Sequence, residues 1–458
     1  MSSPKKRIHF IAIGENAMHN LALAIHAKGH IISGSADEIF EPSRSRLSDA
    51  GILPPVAGWD PSKITPDLDA VILGIDAESN NPELLKAQEL NIKIYSAPEY
   101  IYEQSLDKQR VVIAGSHGKT TITAMILHVL NFFNRKFDYM ISAQLEGFNA
   151  MIRLSDDAPI IVVEGDEYLS SAIDKTPEFL KYQHHIGLVS SVAWDHVNVY
   201  PTLDEYVRQF DAFADATPKA GTLIFCESDP VAAMVCKKER DDVQRIEYKA
   251  HKHDIRNKQT YLITDEGEVP VLIFGKHNMK NLSGAKAVCL KIGVSEKMFY
   301  QAIQSFKGAA NRLEVLAEGK STSVFKDYAN APYKLKASTN AVKKQFEKRA
   351  LTAVLELHTF SSDNKEFSEQ YEDTFKGADQ PVIYYNPNTF KRKNTAPIRE
   401  EEVKKAFNAP NLKIFTDPSD LKEYLRAIEW NNRNLLLMSS GDFDGLDLSD
   451  LAKHLVKQ

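Results

Sequence analysis

Cysteine is scarce in this sequence of 458 residues, which contains only Cys226, Cys236 and Cys289. Three scattered cysteines cannot build a disulfide framework, and no CxxC pair predicts a zinc site. We therefore expect the three thiols to be small buried groups of a protein in a reducing compartment.

The sequence also lacks long hydrophobic runs and a large excess of charge of either sign. No uninterrupted apolar run approaches the ~18 residues that are needed to span a bilayer. The N-terminal stretch "MSSPKKRIHFIAIG" lacks the long apolar region of a signal peptide. The net charge is −6, which does not favour a nucleic-acid or anionic-membrane surface. We expect a cytoplasmic protein that neither inserts into membranes nor binds nucleic acid.

Strand patterns and helix patterns alternate along the whole chain. At roughly 100–200 residues per domain, the length predicts two to four domains. Short apolar strands separated by helices of ~10–15 residues imply βαβ units and parallel sheets. The pattern therefore predicts three consecutive α/β domains, with boundaries at 1–106, 107–309 and 310–458. A short basic run, "FKRKN" (390–394), is interpreted as a solvated loop.

The stretch "VVIAGSHGKTT" (111–121) predicts a strand that breaks on glycine and opens a helix, which is a phosphate-binding arrangement. Two glycines let the backbone approach oxygen atoms, Lys119 can bridge terminal phosphates, and the Thr120 hydroxyl can bind Mg²⁺. The common P-loop spacing would require glycine where Ile113 stands, so the shorter loop argues against GTPase switches and motor ATPases. The predicted nucleotide-binding residues are Gly115, Ser116, His117, Gly118, Lys119, Thr120 and Thr121.

Two acidic segments follow predicted buried strands. Glu164 closes "IIVVE", and Asp195–His196 is interpreted as closing "GLVSSVAWDH". Because ligands bind at the carboxyl ends of strands in open α/β sheets, these groups can complete a Mg²⁺ site beside the loop.

Three further segments place polar residues at element ends. Asn278 and Asn281 lie three residues apart at a predicted helix start, where their amides can cap the helix or bind a base edge. Arg312 stands at the entry to the third predicted domain, and Asp327 stands at a predicted strand end.

Taken in order, the segments AGSHGKTT, VVEGDE, AWDH, GKHNMKN, NRLE and the strand-end aspartate resemble those of the Mur ligase family, over nearly the whole chain. The resemblance implies an N-terminal Rossmann-like domain for a UDP-sugar, a central P-loop mononucleotide-binding domain for ATP, and a C-terminal Rossmann-like domain for an amino acid or peptide. It also implies an ATP- and Mg²⁺-dependent ligase that phosphorylates a carboxylate, which an amine then attacks to form an amide.

The resemblance assigns roles to individual residues. It implies that Lys119 contacts the β- and γ-phosphates, that Thr120 and Glu164 bind Mg²⁺, and that His196 helps to bind a second Mg²⁺. It further implies that Asn278, with His277 beside it, binds adenine, and that Asn281 belongs to the same nucleotide-binding set. Arg312 is implied to reach the phosphates from the third domain, and Asp327 to hold the ribose or the closing interface. The implied catalytic set is Lys119, His196, Arg312 and Asp327. The base that deprotonates the amine stays open between aspartate, histidine and water.

Within the family, the "GSHGKTT" loop resembles the two branches that act directly on UDP-N-acetylmuramate. One branch joins L-alanine, and the other rejoins L-Ala-γ-D-Glu-meso-diaminopimelate during peptidoglycan recycling. The segments "AIDKTPEFLKY" (172–182) and "NLLLMSSGDFDGL" (434–446) favour the peptide-joining branch.

Three segments depart from the family pattern. Glu15, Asn16 and His19 in "IGENAMHN" stand where small residues are expected, and a carboxylate there repels a diphosphate unless it is turned away or paired. "YANAP" (328–332) has Asn330 and Ala331 in place of two histidines, and Ser191 replaces an asparagine. These departures leave open a regulatory paralogue that binds ATP without ligase activity. A folylpolyglutamate-type or cyanophycin-type ligase is a further alternative, because it shares the short loop.

Overall fold

The computed structural model describes residues 4–358, 369–388 and 399–457. The chain forms two compact units, one of residues 1–249 with 283–302 and the other of 250–282 with 303–458. In the described ranges, no helix combines the length and the apolar character that crossing a membrane requires. The "FKRKN" run lies outside the described residues.

The first unit begins with a four-stranded parallel sheet in the order β2-β1-β3-β4. Its strands are short and apolar, and the capping box of Ser96 and Glu99 starts the last helix of this region. The strands are Arg7–Ile11 (β1), Ile31–Ser35 (β2), Ala70–Leu73 (β3) and Ile94–Ser96 (β4). The helices are Asn16–Ala27 (α1), Ser43–Asp49 (α2), Pro82–Glu89 (α3) and Ala97–Glu103 (α4), with a 3₁₀ turn at Pro61–Lys63.

A seven-stranded sheet completes the first unit, in the order β11-β10-β9-β5-β8-β6-β7. All neighbours are parallel except β6 and β7. The strands are Gln109–Ala114 (β5), Asp138–Met140 (β6), Ile152–Arg153 (β7), Ile160–Glu164 (β8), Ile186–Val189 (β9), Thr222–Cys226 (β10) and Gln244–Tyr248 (β11). The helices are Lys119–Phe132 (α5), Glu178–Lys181 (α6), Leu203–Asp215 (α7) and Pro230–Cys236 (α8). Because β5 lies between β8 and β9, the carboxyl ends of these three strands meet at one edge.

The helix Lys276–Lys291 (α9) has residues in both units, and Glu296–Ile303 (α10) follows it. In the second unit, His253–Arg256 (β12), Gln259–Thr264 (β13) and Gly267–Val271 (β14) form an antiparallel sheet. Thr264 pairs with Gly267 across the turn, so β13 and β14 form a hairpin.

The main sheet of the second unit has six strands in the order β15-β16-β20-β17-β18-β19, and only β15 is antiparallel to its neighbour. The strands are Glu314–Glu318 (β15), Ser323–Asp327 (β16), Ala350–Glu356 (β17), Gln380–Tyr384 (β18), Lys413–Phe415 (β19) and Arg433–Met438 (β20). The helices are Pro332–Gln345 (α11), Glu400–Phe407 (α12), Pro418–Ala427 (α13) and Leu448–Leu455 (α14), with a 3₁₀ turn at Glu369–Tyr371.

The α/β fold class with parallel sheets is confirmed, and so is the burial of all three cysteines. The boundaries at 106/107 and 309/310 stay a prediction. One prediction is wrong: Asp195–His196 does not close a strand, because β9 ends at Val189. The segment after Val189 turns to hydrogen-bond with the loop at 115–117 instead of continuing the sheet.

Candidate active site

The turn between β5 and α5 has the backbone of a phosphate-binding loop. Gly115 has φ +131° and Gly118 has φ +88°, and both values lie in the left-handed region that favours glycine. Gly118 is the N-cap of this 14-residue helix and has no side chain, so the N-cap residue makes no side-chain hydrogen bond to the first turn of α5. Backbone N–H groups at a helix N-terminus and the helix dipole attract anions.

Two serines after β9 hold the loop from its other side. The Ser116 backbone N–H donates to the Ser191 carbonyl (3.1 Å), and the His117 N–H donates to the Ser191 hydroxyl (3.1 Å). The Ser190 hydroxyl donates to the carbonyls of Ala114 (3.2 Å) and His117 (2.5 Å). The loop is therefore shaped by contacts with a neighbouring strand end as well as by its own glycines.

Lys119 is buried in the first turn of α5 and is paired with acidic groups. Its Nζ lies 2.5 Å from Glu167 Oε2 and 3.9 Å from Asp166 Oδ1. Burial lowers the pKa of Lys119, but the carboxylates of Asp166 and Glu167 outweigh it and raise the pKa above its usual range. The Tyr206 hydroxyl donates to the other oxygen of Glu167 (2.6 Å), which fixes the carboxylate. The lysine is thus a permanent cation inside the loop.

Thr120 and Glu164, both predicted magnesium ligands, are in direct contact. The Thr120 hydroxyl donates to Glu164 Oε1 at 2.6 Å. Ser142, which the sequence analysis did not single out, donates its hydroxyl to the same oxygen (2.8 Å) and its backbone N–H to Glu164 Oε2 (2.9 Å). Because hydroxyl and carboxylate oxygens are the ligands that Mg²⁺ prefers, this set of donors fits the ion.

His196 lies with a different pair of acids. One ligand atom each of Asp166, Glu167 and His196 lies within 4.8 Å of the others, and His196 Nε2 is 3.8 Å from Glu167 Oε1. His196 has φ +52°, in the loop beyond β9. Two carboxylates and an imidazole are the ligand types of a candidate second cation site. Lys119 competes with a cation there, because its ammonium group already pairs with Glu167.

We expect Glu164→Gln to weaken divalent-cation binding at least ~10-fold, because it removes the charge on which two hydroxyls converge. Titration with Mn²⁺ followed by electron paramagnetic resonance measures the change, with ADP present. Asp157→Asn is the matched control, because Asp157 is exposed and pairs with Lys136. Equal Mn²⁺ affinities for the two variants would contradict the assignment.

The remaining predicted residues belong to the second unit. Asn278 lies in the first turn of α9, where its amide donates to the Phe274 carbonyl (2.9 Å) and its Oδ1 accepts from Asn281 Nδ2 (3.4 Å). Burial lowers the pKa of His277, whereas the Asp327 carboxylate opposes that shift. These side chains therefore form one polar group around the start of α9.

Asp327 is the last residue of β16, as predicted. Its carboxylate accepts hydrogen bonds from the Leu313 backbone N–H (3.1 Å) and from the Ser338 hydroxyl. Arg312 stacks on Tyr328, with 4.8 Å between the guanidinium carbon and the ring centroid. Asp327 thus fixes the backbone beside Arg312, and this positioning could not be read from the spacing of the two residues.

Two family models match the chain: "Mur ligase family, catalytic domain" over residues 7–108 and "Mur ligase middle domain" over residues 113–289. A UDP-N-acetylmuramate–L-alanine ligase of Clostridium kluyveri is 28% identical over 458 residues, covering 95% of this chain and 96% of that protein. One of Carboxydothermus hydrogenoformans is 28% identical over 387 residues, covering 81% and 80%.

Solved structures share the fold. A murein peptide ligase from Psychrobacter arcticus matches with a TM-score of 0.66 at 21% identity, covering 99% of each chain. A UDP-N-acetylmuramate–alanine ligase from Thermotoga maritima matches with a TM-score of 0.71 at 19% identity, covering 98% of each chain. The two family models together span more than half of the sequence. The chain belongs to the Mur ligase family, whose members are ATP-dependent, ADP-forming amide ligases.

Proposed function

We propose that this chain joins the carboxylate of UDP-N-acetylmuramate to the amine of L-Ala-γ-D-Glu-meso-diaminopimelate with consumption of ATP. The observation that carries the proposal is the loop at 115–121, which combines the N-terminus of α5 with the buried cation of Lys119 and with the Thr120–Glu164 pair. The peptide is chosen as the amine substrate because of the 172–182 and 434–446 segments. The alternative substrate, L-alanine, is favoured by the names of the curated relatives.

ATP supplies the phosphoryl group that converts the carboxylate into an acyl phosphate, from which the amine displaces phosphate. Lys119 holds positive charge where the terminal phosphates lie, and the N–H groups of α5 orient them. Thr120, Glu164 and Ser142 would hold Mg²⁺, which neutralises phosphate charge when it is bound. Little covalent chemistry is asked of side chains, because positioning and charge stabilisation provide most of the rate enhancement.

The residues of the second unit take the remaining roles in this proposal. Asn278, with Asn281 and His277, binds the adenine edge, since the two amides lie in the first two turns of α9 and Asn281 donates to Asn278. Arg312 contacts phosphate oxygens, and its stacking on Tyr328 restricts the orientation of its guanidinium group. Asp327 contacts the ribose or holds the backbone that carries Arg312.

An ADP-release assay tests the function. The protein is incubated with ATP, Mg²⁺ and UDP-N-acetylmuramate, together with either the tripeptide or L-alanine. We expect ADP release only when sugar nucleotide and amine are both present, and at least ~10-fold higher kcat/KM for the tripeptide, because missing contacts to a longer substrate lower transition-state stabilisation. Higher kcat/KM for L-alanine would assign the chain to the alternative branch. Nucleotide binding without turnover for any amine would indicate a regulatory protein.

A further inference from the structure

The N-terminal sheet has a topological switch point between β1 and β3. In the order β2-β1-β3-β4, β2 lies on one side of β1 and β3 lies on the other. Open parallel α/β sheets bind ligands in the crevice at the carboxyl ends of the strands at such a point. Here the crevice is bounded by residues 12–15 after β1 and by residues 74–76 after β3.

The side chain of Glu15 lies across this crevice. Its Oε1 accepts a hydrogen bond from the backbone N–H of Asp76 (2.8 Å). A Cβ atom on Gly74 would lie 2.2 Å from the same oxygen, so the carboxylate is in close contact with the backbone after β3. Although Glu15 is the N-cap of α1, its side chain makes no capping hydrogen bond to that helix. The carboxylate is therefore directed at the neighbouring strand end instead of its own helix.

The surroundings of Glu15 disfavour its negative charge. Burial raises the pKa of Glu15 to about 7, and the Asp76 charge adds to the effect, while the backbone hydrogen bonds of Asp76 and Ile75 oppose it. The charged groups that face Glu15 are Asp76, from the loop after β3, and Glu178, from α6, and both are acidic. On α1 itself, the His19 ring contacts the backbone oxygen of Glu15, and burial lowers the pKa of this imidazole.

A groove of about 470 Å³ continues from the crevice. One wall is the loop after β3, including Ile75 and Ala77, and the other is the segment around Tyr168 and Lys175. The backbone N–H of Ala172 donates to the Gly74 carbonyl (3.3 Å), so the second wall is attached to the crevice itself. A volume of this size suits a small-molecule ligand.

We propose that Glu15 determines specificity in the N-terminal domain, because its carboxylate occupies the anion position of the switch-point crevice and an anionic nucleoside diphosphate must displace or neutralise it. The inference rests on the proposed function for the identity of that diphosphate. A neutral nucleoside does not compete with the carboxylate. With a pKa of about 7, Glu15 is mostly protonated at pH 5.5 and mostly ionised at pH 8.5. The electrostatic repulsion between Glu15 and a bound diphosphate therefore increases with pH.

Calorimetric titration with UDP tests the proposal, with uridine as the neutral probe. Wild type and Glu15→Gln are compared at pH 5.5 and again at pH 8.5. The ionisation of UDP itself affects both proteins equally at each pH, so it cancels in the ratio of their UDP affinities. We expect Glu15→Gln to bind UDP at least ~10-fold more tightly than wild type at pH 8.5, and within ~3-fold at pH 5.5, because the amide keeps the size of the side chain without its charge. Uridine affinity is expected to be the same for both proteins.

Glu15→Ala is the second variant, and it is expected to follow Glu15→Gln. Glu89→Gln is the control, because Glu89 is an exposed acid on α3 that pairs with Lys86. The inference would be overturned if the ratio of the UDP affinities of Glu15→Gln and wild type were equal at the two pH values. It would also be overturned if none of the variants bound UDP. UDP binding is measured without turnover, so it can be separated from the ligase reaction. If the protein fails the ADP-release assay but its relative UDP affinity depends on pH as expected, only the proposed function is refuted. If the protein is an active ligase but the UDP affinity of Glu15→Gln relative to wild type does not change with pH, only the role of Glu15 is refuted.

Discussion

Lys119→Ala is expected to lower ligase turnover by about a thousandfold. Lys119 is the cation at the start of α5, and no other residue of the loop at 115–121 carries a permanent positive charge. Removing one preorganised group that stabilises transition-state charge lowers kcat by about 10²–10³-fold. We expect the loss of a phosphate-binding cation to lie at the upper end of that range. ADP release under saturating ATP, sugar nucleotide and amine measures the effect.

The same substitution is expected to destabilise the fold by about 3–5 kcal/mol, because it leaves the buried Glu167 carboxylate without its cation. The double variant Lys119→Ala/Glu167→Gln separates the two effects: it is expected to regain most of the stability in urea unfolding, yet none of the turnover. Lys136→Ala is the matched control, since Lys136 forms an exposed pair with Asp157 and should change unfolding by less than about 1 kcal/mol. Recovery of turnover in the double variant would show that Lys119 serves the fold and not the chemistry.

Gly115→Ala is expected to weaken ADP binding at least ~10-fold and to destabilise the protein by about 2–4 kcal/mol. A Cβ atom at this position would lie 2.1 Å from the Ser190 hydroxyl and 3.0 Å from the backbone nitrogens of Ser190 and Ser191. The backbone contacts cannot be relieved by a side-chain rotation. Overpacking of this kind costs about 1–3 kcal/mol, and the left-handed φ adds about 1 kcal/mol. Calorimetry with ADP and urea unfolding measure the two quantities.

Gly293→Ala is the control for backbone strain alone. Gly293 also has a positive φ (+80°), but nothing lies within 4 Å of the added Cβ. We expect a loss of about 1 kcal/mol in stability and unchanged ADP affinity for this variant. If both alanine variants behaved alike, the contact with the serines after β9 would not shape the loop.

Sequence patterns predicted the elements around the site well where the signal is local. Glu164 and Asp327 close strands as expected, and the loop at 115–121 joins a strand to a helix. Apolar runs and glycine positions depend on neighbours in the chain, so they can be read directly. The segment before His196 does not form the predicted strand: "SSVAW" is apolar enough for one, but its backbone hydrogen-bonds with the loop at 115–117.

The hydrogen-bond and ion-pair partners of the site residues could not be predicted from the sequence. Ser142 reaches Glu164 because β6 lies beside β8, and Glu167 reaches Lys119 across 48 positions of the chain. The one available signal was a position just after a strand: Ser190 directly follows β9, and Ser142 is the second residue after β6. That signal is shared by many residues of an α/β protein, so it could not select these two.

The sequence by itself determined the strand–turn–helix geometry of the loop at 115–121 and the α/β class. Both depend on spacing along the chain: glycines that permit a turn, a lysine at a helix start and apolar strands at regular intervals. The tertiary structure alone decided which carboxylates face which cations. It pairs Lys119 with Glu167 and turns Glu15 toward Gly74 and Asp76, because strand order brings together residues that lie 48 to 61 positions apart. Electrostatic interactions depend on distance in space, and no pattern along the chain encodes that distance.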